Sequence, residues 1–230
     1  MISKTNNQSG NVLFFILIAV ALFAALSYAV TTGNRGAGDS SSGETSLIAS
    51  SEITQYGTAL ENALTYLTVS KQCNPDEMSF ERSPFDGSDT SYINPSAPSN
   101  LSCHVFSSSG GRAATMQPPS GANNDNDEYA YIETQVLGIG ADQTLCGADC
   151  ADIVLILKNV NQSACKKFNL KLKGDPSIPI QDDGDNYENE EYTGIFNGNT
   201  NIDGGASGHR SLCIQSAGGT YYFYHVLLPR

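Results

Sequence analysis

Basic residues are scarce in this chain of 230 residues, which carries 12 Lys and Arg against 24 Asp and Glu and has a net charge of −12. Proteins that bind nucleic acid neutralise its phosphates with clustered Lys and Arg side chains. The acidic balance therefore argues against a nucleic-acid partner. It also gives the chain no attraction to an anionic lipid surface, because like charges repel.

Recognisable catalytic motifs are missing as well. The chain has no G-x-S-x-G turn, no H-E-x-x-H helix and no phosphate-binding G-x-x-x-x-G-K-[ST] loop. Its three histidines, His104, His209 and His225, are scattered along the sequence. We therefore predict no catalytic residues and a protein that is not an enzyme.

The six cysteines indicate disulfide bonds rather than a metal centre. An even number of cysteines behind a hydrophobic N-terminal segment is typical of an oxidising compartment. Cys146 and Cys150 have a spacing that some zinc sites use, but no second Cys/His pair matches it. Six cysteines can pair in fifteen ways. If near neighbours pair first, the predicted bonds are Cys73–Cys103, Cys146–Cys150 and Cys165–Cys213.

A long apolar stretch lies near the start of the chain. Residues Val12 to Val30 carry no charge, and a helix of that length, rising about 1.5 Å per residue, is close to the thickness of a bilayer core. With Lys4 before it and Ser27-Tyr28-Ala29 near its end, the stretch fits a secretory signal peptide cut after Ala29. It equally fits an uncleaved membrane anchor or the assembly helix of a filament subunit.

The next regular pattern follows a Gly/Ser-rich connector at residues 33–43. Within residues 44–72, apolar residues recur every three or four positions, which predicts an amphipathic helix. We expect its apolar stripe to pack on a sheet in the second half of the chain. The stripe consists of Ala49, Ile53, Tyr56, Leu60, Ala63, Leu64 and Leu67.

The second half of the chain is predicted to form strands. Residues 73–127 are rich in turn formers. Runs of β-branched and aromatic residues follow and predict strands, at 129–139, 152–160, 211–216 and 220–228. A short helix is predicted at residues 161–173. The predicted fold class is α+β, with a long hydrophobic N-terminal helix and an amphipathic helix packed on an antiparallel β-sheet domain with disulfides.

This order of elements resembles the type IV pilin-like family, which includes pilins, minor pilins and the pseudopilins of type II secretion. The resemblance is carried by the polar leader MISKTNNQSG, by the apolar helix directly after it and by the second helix before a disulfide-bearing β domain. It implies that a prepilin peptidase cuts after Gly10, so that Asn11 becomes the first mature residue. The implied assembly helix includes Val12, Phe14, Phe15 and Ile16.

The resemblance also implies a place in the cell and a set of partners. The subunit is expected in the inner membrane with a periplasmic or extracellular head, and at the cell surface once assembled. Its partners are other pilin-like subunits. The chain is accordingly divided into a leader at 1–10, a transmembrane or assembly helix at 11–32, the connector at 33–43, the amphipathic helix at 44–72 and a disulfide-bonded β-rich head at 73–230.

Two positions depart from the family pattern. The family's usual first mature residue is Phe or Met, where this chain has Asn11, and its fifth is usually Glu, where this chain has Phe15. That Glu is thought to neutralise the N-terminal amine of a neighbouring subunit, and a buried amine without a counter-ion is costly. We therefore expect a minor pilin or pseudopilin. The alternative is a secreted or membrane-anchored extracytoplasmic binding module, unrelated to pili, with calcium as a candidate requirement for binding.

No cofactor is predicted, and calcium is the one candidate for a bound ion. Residues 181–192 hold six acids and no base, and residues 199–204 place oxygen-bearing side chains at alternate positions. Hard cations such as Ca²⁺ prefer oxygen ligands. The alternative is a solvated acidic surface that keeps the protein soluble. The candidate ligands are Asp182, Asp183, Asp185, Asn199, Asn201 and Asp203.

Overall fold

The structure is a computed structural model, and side chains are described in its first helix for residues 14–28 and in its second from residue 47 onward. The chain forms two compact units, residues 1–44 and residues 45–230. The described residues are 10–34, 37–86, 90–125, 127–141, 151–181, 187, 191–196 and 200–230.

Two helices open the described part of the chain. Helix α1 spans Gly10–Asn34 and helix α2 spans Ala37–Ser70. One helix therefore ends and the next begins inside the predicted connector, of which residues 35 and 36 lie outside the described part. Across the described residues, no helix is long and apolar enough to cross a membrane.

The unit of residues 45–230 is built on a sheet of six strands. Helix α3, Gln162–Lys173, lies between the second and third strands in the sequence, as the pattern at 161–173 predicts. The strand order in the sheet is β3-β5-β6-β2-β1-β4. The strands are β1 Tyr129–Val136, β2 Asp152–Leu157, β3 Ile180–Gln181, β4 Asn201–Ile202, β5 Ser211–Ser216 and β6 Tyr221–Leu228.

The predicted fold class is wrong on two counts: the described residues contain no helix with the length and apolar character of a membrane span, and the sheet is mixed and not antiparallel. Its four central strands pair antiparallel, but β3 runs parallel to β5 and β4 runs parallel to β1. Each of these two outer strands is only two residues long. Strands that short have no alternation of apolar and polar residues, which is the signal that predicts a strand from sequence.

The apolar stripe of α2 is buried, as predicted. All seven positions lie in one core cluster with residues from one face of the sheet, among them Tyr131 and Phe223. The ring of Tyr56 lies 4.8 Å from that of Tyr129, and its hydroxyl is 2.9 Å from the hydroxyl of Tyr131. Burying a Leu or Ile side chain contributes about 1.5–3 kcal/mol, so this contact is a main source of the unit's stability.

The opposite face of the sheet is covered as well. Tyr222, Tyr224 and Val226 of β6 belong to a second core cluster, together with Ile202 and Tyr187 from the loop-rich part of the chain. Both faces of β6 are thus buried, so this strand belongs to the core and is not a ligand surface.

Two disulfide bonds join the helices to the rest of the unit. Cys73–Cys103 ties the residue just after α2 to the turn-rich segment, with Cα atoms 5.8 Å apart. Cys165–Cys213 ties α3 to β5, with Cα atoms 5.3 Å apart. These two predicted pairs are confirmed. The third, Cys146–Cys150, lies outside the described residues.

A buried amide on α3 completes the edge of β5. Strand β3 pairs with β5 only at Gln215 and Ser216, which leaves Cys213 without a strand partner on that side. The side chain of Asn169 fills the gap: its Nδ2 donates to the Cys213 carbonyl at 2.8 Å and its Oδ1 accepts from the Cys213 amide at 2.8 Å. Buried backbone groups need such partners, so Asn169 replaces a missing strand.

The variant Asn169→Ala is expected to lower the free energy of unfolding by about 2–4 kcal/mol, because two backbone groups lose their partners and a cavity opens. Chemical denaturation with the disulfides intact measures this. Exposed Asn124→Ala is the control and is expected to stay within about 0.5 kcal/mol of the parent. A loss for Asn169→Ala no larger than that of the control would contradict the edge-capping role.

Candidate functional site

The exposed apolar surface of α1 is the first candidate site. Residues 14–18 are consecutive and 40–62% exposed. Successive helical residues are about 100° apart, so these five surround the helix. A helix that is apolar on every side is ordinarily buried in a larger apolar environment. We therefore expect another molecule to cover this surface. Its large apolar members are Phe14, Phe15, Ile16, Leu17, Ile18, Val20, Leu22, Phe23, Leu26 and Tyr28.

The predicted processing and assembly residues lie at the start of this helix. Gly10 is the first residue of α1, whereas the side chains of Asn11 and Val12 lie outside the described part. The ring of Phe15 is 62% exposed and lies 6.3 Å from the ring of Phe14. Phe15 therefore adds exposed apolar area to the first turns of α1.

The candidate calcium ligands are only partly described. Asp182, Asp183, Asp185 and Asn199 lie outside the described residues. Asn201 is in β4, where its carbonyl accepts a hydrogen bond from the Tyr187 hydroxyl at 2.9 Å. The Asp203 amide donates to the Gln181 side chain at 2.9 Å. Among the described side chains, no group of three or more His, Cys, Asp or Glu is arranged to hold a metal ion.

A polar cluster between α2 and the sheet escaped the sequence analysis. It consists of Glu61 on α2, Arg210 just before β5, Ser211 on β5 and His225 on β6. Arg210 Nη2 is 2.9 Å from Glu61 Oε1, and His225 Nε2 is 3.4 Å from Glu61 Oε2. The Ser211 hydroxyl hydrogen-bonds to His225 Nδ1. We call these four residues the α2–sheet cluster.

One sequence signal for this cluster is a glycine inside α2. A Cβ atom on Gly57 would lie 2.8 Å from the Cγ and Cδ2 atoms of the His225 ring. Glycine in a helix interior costs about 0.5–1 kcal/mol relative to alanine, so its presence marks a close approach. Here it lets the helix backbone lie directly against the imidazole.

Burial sets the charge state of the histidine in this cluster. The His225 side chain is only 8% exposed, and this burial lowers its pKa below the usual value because a buried imidazolium loses its hydration. The Glu61 carboxylate acts in the opposite direction and the Arg210 guanidinium in the same direction as burial. At neutral pH the imidazole is therefore neutral.

A buried carboxylate at the start of β2 has a structural role. Asp152 accepts hydrogen bonds from the backbone amides of Val136 at 3.0 Å and Arg230 at 2.9 Å. Burial raises its pKa to about 6. The carboxylate joins the end of β1 to the residues after β6, so we assign it to the fold and not to a ligand site.

A cavity of about 310 Å³ with charged walls lies beside the start of β1. Arg82 forms an ion pair with Glu128 there and lowers the pKa of that carboxyl group. Lys158, Asp127 and Glu191 also line the cavity. Charges of both signs would suit a small polar molecule.

The variant Gly57→Ala is expected to lower the free energy of unfolding by about 1–3 kcal/mol, because the new methyl group overlaps the His225 ring. At a helix position with space, the same change stabilises, so the sign of the effect is diagnostic. In a His225→Ala background the overlap is gone, and Gly57→Ala should cost nothing or stabilise. Stabilisation by Gly57→Ala in the parent protein would contradict the packing described here.

Comparison with known proteins gives no family for this chain. No protein-family model matches it, and neither a curated protein nor a solved structure is significantly similar to it. Its function therefore has to be argued from its own residues.

Proposed function

We propose that this chain is a pilin-like structural subunit, a minor pilin or pseudopilin of a bacterial filament or secretion system, in which α1 packs against other subunits. The observation that carries the proposal is the exposed apolar side chains around α1. A surface of this kind on a soluble protein marks an interaction site or an aggregation hazard. Neighbouring apolar helices would cover all of its sides.

The rest of the chain supplies a firmly packed unit that such a subunit could carry. The unit of residues 45–230 is fastened by the α2 stripe and by two disulfide bonds. The second half of α2 is thus fixed to a stable head, and this helix follows the assembly helix directly in the sequence. Such an arrangement suits a subunit that holds a head at a fixed place in a polymer.

Processing and location complete the proposal. Prepilin peptidase removes residues 1–10, the subunit resides at the inner membrane before assembly, and the head faces the periplasm or the exterior. The absence of Glu at the position of Phe15 favours a subunit used once or a few times over one that repeats along a filament. Calcium stays a candidate ligand of the acidic loops.

A binding module unrelated to pili is the second candidate function. The charged cavity beside β1 favours it, since Arg82 and Lys158 lie there opposite carboxylates, as a site for a small zwitterionic or polar molecule requires. In that case α1 would have no part in assembly, and the head alone would act.

Charged substitutions on α1 test the proposal. The double variant Phe14→Asp, Phe23→Asp is expected to reduce cross-linking of the full chain to its neighbours in cell envelopes at least about tenfold, because two charges cannot be buried between apolar helices. Immunoblotting after membrane-permeable cross-linking measures it. Exposed Val69→Asp on α2, a residue 73% exposed, is the matched control and should leave cross-linking unchanged. Equal cross-linking by the double variant and the parent would overturn the proposal.

A further inference from the structure

The α2–sheet cluster combines a buried titratable group with a contact between two elements. His225 is 6% exposed as a whole residue, and its ring lies against the α2 backbone at Gly57. Its two ring nitrogens meet Glu61 on one side and Ser211 on the other. Any change in the charge of the ring therefore alters the contact between α2 and the sheet.

We propose that Glu61, Arg210 and His225 form a proton-operated latch between α2 and the sheet, closed when the imidazole is neutral and loosened when it takes up a proton. The inference concerns only the unit of residues 45–230 and does not depend on the proposed assembly role of α1.

In the closed latch, Glu61 Oε2 lies 3.4 Å from His225 Nε2, a nitrogen that has no hydrogen-bond partner among the described residues. The nearby carboxylate favours the neutral tautomer with its proton on Nε2, and the Ser211 hydroxyl then donates to Nδ1. The other carboxylate oxygen of Glu61 lies 2.9 Å from the Arg210 guanidinium. Glu61 thus pairs with one full cation and lies beside one neutral imidazole.

Protonation of His225 places a second cation beside Glu61. The groups that face His225 are Glu61 from α2, and Arg210 and Ser211 from the β5 side, while its cross-strand neighbour on β2 is the apolar Leu155. An imidazolium would share one carboxylate with Arg210, whose side chain is partly exposed, while the ring itself is buried. The added charge would therefore sit on the one group of the cluster that has lost its hydration, beside a carboxylate already paired with another cation, which costs free energy.

The direction in which pH changes the stability of the latch follows from the difference in the His225 pKa between the folded and unfolded chain. The pKa of His225 is lower in the folded chain, chiefly through burial, so the unfolded or locally opened chain takes up the proton first, near pH 6.5. The contribution of the latch is complete above about pH 6.5 and is lost as the pH falls toward the folded-state pKa. Mild acid therefore opens α2 before it affects the central strands.

Hydrogen exchange of the full-length protein between pH 5 and pH 7.5, corrected for intrinsic rates, tests the latch. In the parent, the protection of amides at residues 53–64 of α2 is expected to fall at least about tenfold more than that of β2 amides at residues 153–156. In His225→Gln, which keeps a neutral polar side chain, this extra pH dependence should vanish.

A second variant keeps the test decisive if His225→Gln folds poorly. Arg210 is 47% exposed in its side chain, so Arg210→Met should fold. Because the competing cation is gone, NMR titration should show a higher pKa for His225, and the acid opening of α2 should shrink. Equal acid sensitivity of α2 and β2 in the parent would overturn the proposal, as would an unchanged α2 profile in either variant.

Discussion

Seven apolar side chains of α2 pack against one face of the sheet, and the other contacts of the head are arranged around them. Ile53, Leu60 and Leu64 are fully buried in this contact, each contributing about 1.5–3 kcal/mol. With α2 fixed, the bond from Cys73 can anchor the turn-rich segment to the end of the helix. The same contact buries His225 beside the partly exposed Glu61, so that the packing of α2 becomes sensitive to a single proton.

The apolar side chains of α1 are exposed, whereas those of the α2 stripe are buried. Exposed apolar residues surround α1 within residues 14–28, which is unfavourable in water unless another molecule covers them. A head held by α2 and two disulfide bonds needs no such cover for its own stability. The two parts of the chain thus differ: the unit of residues 45–230 buries its own core, whereas α1 keeps the exposed apolar surface to which the proposed association is assigned.

The sequence allowed the helix contact and the visible disulfide pairs to be predicted, since both depend on local spacing. The stripe from Ala49 to Leu67 repeats every three or four residues, and the paired cysteines are neighbours in sequence order. The mixed sheet was not predictable in this way. Ile180–Gln181 and Asn201–Ile202 become strands only because longer strands offer open edges beside them, and this information is not local.

The same distinction between local and long-range information applies to the candidate site. The apolar character of α1 follows from composition alone, whereas the α2–sheet cluster joins residues as distant as Glu61 and His225 and has only Gly57 as a sequence signal. Most of the predicted calcium ligands lie outside the described residues, so that hypothesis stays a prediction. Asn169 was predicted only as part of a short helix, because its two bonds to Cys213 exist only in the folded chain.

The central claim is that α1 is retained in the mature protein as an assembly surface. The intact mass and N-terminal sequence of the protein isolated from cell envelopes, under non-reducing and reducing conditions, test it most directly. The account predicts the loss of residues 1–10 and a mature chain that begins at Asn11, with α1 retained from Asn11 to Asn34. A chain that begins at Val30 would contradict it, because residues 14–28 and their apolar surface would then be absent from the working protein.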